Sequence, residues 1–117
     1  MDKKTIRFLS HMGARGVLGQ AIYDYSQERE DFWAISADLG HASGLKRFEE
    51  LYPGRYVNIG IAEQNLIGVA AGVAKDGTPV VATTYAPFAS MRCADQIRNY
   101  MGYMKLNVKV VGMDSGM

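Results

Sequence analysis

From Ala14 onward, apolar side chains recur at three- and four-residue steps: Val17, Leu18, Ala21, Ile22 and Tyr25. That period predicts an amphipathic helix with one face on a core, ended by the polar run SQERED. The pattern then changes. FWAISADL, Phe32 to Leu39, is short and mostly apolar, and GHASG follows it, so it reads as a buried strand emptying into a flexible loop. LKRFEELYP allows one or two helical turns before Pro53 and Gly54 stop them. RYVNIGI predicts a second strand, followed directly by a helix opened by Ala62 and Glu63 and closed at KDGTP. PVVATTY predicts a third strand, Pro87 to about Met101 a further helix, and NVKVVGM a fourth strand.

Strands alternating with helical segments predict βαβ units, hence an α/β fold with a parallel sheet flanked by helices on both faces. In open sheets of this kind ligands collect beyond the carboxyl ends of the strands. The segments in that zone are Asp38 to Ser43, Gly60 to Asn65, Tyr85 to Phe88 and Met113 to Met117. Glu63 is therefore doubly placed. An acid in a first helical turn is ordinarily a solvated complement to the helix dipole. In the ligand zone, beside the aromatics Tyr85 and Phe88, the same carboxyl suits a flat nitrogen heterocycle, whose ring stacks while the acid hydrogen-bonds a ring nitrogen.

Composition narrows the classes. At 117 residues the chain is expected to form a single domain. Thirteen basic against twelve acidic side chains leave a formal charge of +1, which offers no electrostatic reason to bind nucleic acid or an anionic membrane. No long uncharged apolar run and no signal-peptide pattern is present, and Cys93 is the single cysteine, which together predict a cytoplasmic location. His11 and His41 show no ligand spacing, so no metal ligand is expected on this chain. Cys93 reads as a small core residue.

RYVNIGIAEQNLIGVAAGVA, followed by YAPFASMRCADQIRN and YMKLNVKVVGMDSG, resembles the pyrimidine-binding domain of transketolases, in particular the C-terminal subunit of split transketolases. SADLG and SGLKRFEELYPGRY continue the match upstream. Deoxyxylulose-phosphate synthase is similar around GIAEQ and SGLKRF. The resemblance implies thiamine diphosphate as cofactor and transfer of a two-carbon ketol unit between sugar-type substrates. It implies that Glu63 is the catalytic glutamate that hydrogen-bonds N1′ of the aminopyrimidine and promotes loss of the C2 proton. Burial should raise the pKa of Glu63 and the helix dipole should lower it. Phe88 matches the aromatic stacked on the pyrimidine, Tyr85 a second aromatic of that pocket, and Asp38 the aspartate of the SAD motif near the cofactor. Arg15 aligns with an arginine that binds substrate phosphate, its alternative being a solvated helix charge. His41 lies where it can meet substrate or be a turn residue without a role.

The resemblance also marks what is absent. The GDG and asparagine pattern that holds Mg²⁺ and the diphosphate does not occur, so both are expected on a partner subunit or domain, in a homodimer or heterotetramer. Met113 stands where the family carries a sugar-contacting histidine, and a thioether cannot replace an imidazole as hydrogen-bond partner or acid–base group. The sequence ends at Met117, where the family continues, so the expected domain, residues 1–117, is incomplete at its C-terminal end. A non-catalytic remnant that binds a partner is the alternative from a different class.

Overall fold

A computed structural model describes residues 2–116; Met1 lies outside them, as does Met117, the last residue of the expected ligand zone. The elements are α1 (Lys3–Glu28), β1 (Trp33–Ser36), α2 (Lys46–Leu51), a 3₁₀ turn (Pro53–Arg55), β2 (Tyr56–Asn58), α3 (Glu63–Lys75) and β3 (Val80–Tyr85). A helical stretch follows, made of a π-helical turn (Phe88–Arg92), α4 (Ala94–Ile97) and a second π-helical turn (Arg98–Tyr103), before β4 (Val108–Met113). The four strands form one sheet in the order β2-β1-β3-β4, and every neighbouring pair is parallel. Registers such as Ser36 with Asn58, Ser36 with Thr83 and Tyr85 with Met113 bring the carboxyl ends of all strands to one edge.

Alternation along the strands divides the core between the two faces of the sheet. Ile35, Val80 and Ala82 face α3, packing with Leu66, Ile67, Ala70, Ala74 and Cys93. Ala34 and Val81 face the other side, where Ile22 of α1 and Leu45 and Phe48 at α2 cover them. Helices therefore lie on both faces, as the alternating pattern predicts. Leu66 and Ile67 are fully buried, and each such side chain stabilises the fold by about 1.5–3 kcal/mol.

Two predicted helices differ in detail. The first is preceded by an exposed helical stretch from Lys3, and Gly13 separates the two parts with φ 69° and ψ 171°, a conformation glycine adopts without a Cβ clash. Packing of the second part runs along Leu18, Ile22 and Ser26, while Ala21 and Tyr25 stay exposed. The second difference lies after Pro87, where regular α-helix is confined to Ala94–Ile97. On either side the backbone makes i→i+5 bonds: Cys93 N–H donates to the Phe88 carbonyl at 3.1 Å and Met104 N–H to the Asn99 carbonyl at 2.9 Å. Such turns accommodate one extra residue and occur often at functional sites.

The candidate cofactor-binding cleft

Five residues after β2, Glu63 opens α3, and its position is set by the helix period. The buried positions of α3 are Glu63, Leu66, Ile67, Ala70, Ala71 and Ala74, so the acid continues the apolar stripe and shares its burial at 4% exposure. No side chain caps this helix end at Ala62. Asp38 stands two residues past β1 with φ 57°, a left-handed conformation that aspartate tolerates better than most residues. Asn58, at the end of β2, fixes that corner. Its Oδ1 accepts from the N–H of Asp38 at 3.0 Å and from the N–H of Gly60 at 2.9 Å, tying the loop after β1 to the turn that leads to Glu63.

Phe88 follows β3 by three residues and meets Tyr85 edge-on, with ring centroids 6.1 Å apart and planes at 76°. Together these residues enclose a cavity of about 240 Å³, walled by Asp38, Leu39, Ile61, Glu63, Tyr85 and Phe88. The structure thus brings Glu63, Phe88, Tyr85 and Asp38 together from three strand ends. Arg15 and His41 do not join them. Arg15 pairs through Nη2 with Asp114 Oδ2 at 3.0 Å, and His41 is an exposed residue of the turn before α2. Met113 is buried at the end of β4, so the side chain presented at that strand end is the half-exposed carboxylate of Asp114 rather than a thioether.

Sequence reasoning missed Arg92. Its Nη1 donates to Glu63 Oε2 at 2.8 Å, and its guanidinium carbon lies 4.1 Å from the Phe88 ring centroid. The available signal was its place four residues beyond Phe88, on one helical face. Burial is the largest single influence on Glu63 and pushes its pKa up. The Arg92 hydrogen bond, a backbone N–H and the Arg92 charge together outweigh it, so the carboxyl lies below the usual glutamate value. Burial raises the neighbouring Cys93 thiol, with the Glu63 charge adding to the effect. Among the described residues no group of three or more His, Cys, Asp or Glu side chains converges as a metal site, and no helix is long and apolar enough to cross a membrane.

A parallel α/β sheet with a buried acid and two aromatics at its carboxyl edge places this cleft where open α/β folds bind their ligands. Residues 10–117 match the family described as transketolase, pyrimidine binding domain, and the chain belongs to that family. It is 43% identical over 95 residues to the 6-deoxy-6-sulfo-D-fructose transketolase subunit SqwH of Clostridium sp. (strain MSTE9), covering 81% of this chain and 30% of the relative. Identity to a putative transketolase C-terminal section of Methanocaldococcus jannaschii is 38% over 106 residues, covering 91% of this chain and 34% of that protein. A 1-deoxy-D-xylulose-5-phosphate synthase of Mycobacterium sp. (strain KMS) is 36% identical over 97 residues, 83% of this chain and 15% of the enzyme. A solved split-gene transketolase, an inactive β4 tetramer, superimposes with TM-score 0.77 at 40% identity, over 85% of this chain and 33% of that one. The chain spans about a third of the transketolase relatives it matches.

Proposed function

We propose that the chain, as one pyrimidine-binding domain, supplies the pyrimidine wall of a thiamine diphosphate site in a transketolase-type enzyme. That enzyme transfers a two-carbon ketol unit between sugar-type substrates, and a diphosphate-binding partner completes the site. The observation that carries this reading is the convergence of Glu63, Phe88, Tyr85 and Asp38 on one cavity. Its volume of about 240 Å³ suits one flat heterocycle rather than a whole cofactor, and its walls offer a buried carboxyl and aromatic surface. The kinship to transketolase subunits supports a partner, and so does the inactive state of the β4 assembly of the structural neighbour. An assembled constellation favours a working site over a non-catalytic remnant.

Thiamine diphosphate, held by its ring between Glu63 and Phe88, would supply a nucleophilic carbon for the transfer. Glu63 holds a proton at N1′ of the ring, in a site where burial favours sharing that proton once the Arg92 charge is no longer beside it. Phe88 carries the ring face and Tyr85 sets the tilt of Phe88. Asp38, held through Asn58, lines the cavity wall nearest β1. Mg²⁺ and the diphosphate belong to the partner. Arg15 is assigned to an anionic end of the substrate, in competition with Asp114, with His41 at the same edge. In the assembled complex Glu63→Ala should slow exchange of the cofactor C2 proton, followed by NMR, by about 10²- to 10⁴-fold. Exchange at the wild-type rate in that variant would refute the assignment.

A further inference from the structure

Arg92 already makes the two contacts that a ligand ring would make at the edge of this cavity, one with Glu63 and one with Phe88. Its planar guanidinium has N–H donors at its edge and a delocalised face, as an aminopyrimidine carrying a proton at N1′ has. It uses both features here: the edge donates to Glu63 Oε2 at 2.8 Å and the plane rests 4.1 Å from the centroid of Phe88. We propose that Arg92 is an internal stand-in for the aminopyrimidine, an occupant that the ring must displace from both Glu63 and Phe88 in order to bind. This inference rests on the reading of the cleft as a pyrimidine site.

The surroundings suit a side chain that leaves while its backbone stays. The Arg92 side chain is 46% exposed and that of Glu63 5%, so the cation can move into water while the acid stays largely buried. The Arg92 carbonyl accepts from Gln64 Nε2 at 3.1 Å, which anchors the turn to α3. A second cavity, of about 380 Å³, shares Ile61 and Glu63 with the first and has Arg92 in its wall. The two spaces therefore meet at Ile61 and Glu63, and the second gives the guanidinium room beside the carboxylate. Displacement also changes the acid. Arg92 and the Cys93 thiol lie beside Glu63, with Asp38 and the Tyr85 hydroxyl on the wall of the same cavity, and Arg92 is the one cation among them, so losing it leaves burial to raise the carboxyl. Ring entry is thereby coupled to proton uptake at the group that must share a proton with the ring.

The test uses the isolated ring, 4-amino-5-hydroxymethyl-2-methylpyrimidine, which carries no diphosphate and so needs no partner subunit. It is titrated into the 117-residue chain while NMR follows the Glu63 carboxyl carbon and the Arg92 Nε–H. The expected result is release of the Arg92 signal to that of a free guanidinium, together with an upward move of the Glu63 titration midpoint. Arg92→Gln should bind the ring about five-fold more tightly, the scale of one exposed cation–π contact and one ion pair removed from competition. Arg92→Lys, which keeps the charge but cannot lie flat on Phe88, should fall between. Ring binding with the Arg92 signal unmoved, weaker binding in Arg92→Gln, or no binding to either protein would overturn the inference. Adding Phe88→Ala to Arg92→Gln separates this from the underlying reading. Ring affinity indifferent to Phe88 would refute the pyrimidine site itself, whereas affinity that depends on Phe88 but not on Arg92 would refute the stand-in alone.

Discussion

Phe88→Ala tests the aromatic shelf. In the free chain the ring makes two contacts beyond its packing, the edge-on pair with Tyr85 and the face under Arg92. The first is worth about 0.5–1.5 kcal/mol. The second, with a half-exposed cation, adds about 0.5–1 kcal/mol. With the packing of the half-buried ring added, the variant should unfold with at least about 1–2.5 kcal/mol less stability in denaturant titration, a cost that leaves a typical domain folded. In the complex with the diphosphate-binding partner, loss of the stacking surface should weaken thiamine diphosphate binding by about 1–2 kcal/mol. That is roughly a 5- to 30-fold rise in Kd by calorimetry. Because the same substitution also loosens Arg92, part of the loss is masked. Repeating it in an Arg92→Gln background closes a double-mutant cycle that isolates the ring's own share. A folded Phe88→Ala complex with wild-type Kd in both backgrounds would refute the stacking role.

Glu63 makes a prediction about pH. Its carboxyl sits below the ordinary value of 4.5 in the folded chain, so its ionised form stabilises the fold at neutral pH. That contribution begins to fade as pH falls past the unfolded-state value and is gone below the depressed folded one. Urea unfolding between about pH 6 and pH 3 should show a shallower acid loss for Glu63→Gln than for wild type, and equal slopes would contradict the ion-pair account. Gly44→Ala should cost about 3 kcal/mol or more. Gly44 has φ 76°, and a Cβ there would lie 2.3 Å from the Arg15 carbonyl oxygen, where α1 meets the loop after β1. Gly77→Ala, at φ 88° but with open space around it, should cost about 1 kcal/mol. Similar midpoints for the two variants in thermal melts would show that the close approach is relieved elsewhere.

The strands and α3 were legible because their patterns are clear: WAIS and VVATTY are short uncharged runs rich in apolar, β-branched and aromatic residues, and α3 repeats its buried positions at helical spacing. The same stripe carried the burial of Glu63, since 63, 66, 67 and 70 share one face. Other features are written in no local pattern. Residues 3–12 form helix with no core-facing stripe, Ile6 and Phe8 being exposed, so periodicity had nothing to register. The π-helical turns match no residue preference along the chain, and the first of them packs against α3 and β4. The contest over Glu63 was open because its deciding partner is 29 residues away. A sequence shows that Arg92 shares a helical face with Phe88, but not that the face is aimed at the acid.

The first π-helical turn has a consequence for comparing relatives. Between the Phe88 carbonyl and the Cys93 N–H it holds one residue more than an α-turn closes over, and Met91, its most exposed member, packs against little. A relative one residue shorter here would run the same backbone as plain α-helix, each side chain after the deletion displaced by about 100° about the axis. Gapless alignment across this stretch then pairs residues that do not occupy equivalent places. A single-residue length difference, trivial in a surface loop, here decides from which side a cation approaches the acid. An insertion or deletion within Phe88–Arg92 would therefore re-aim Arg92 relative to Glu63, whereas a substitution at exposed Met91 would leave that geometry in place.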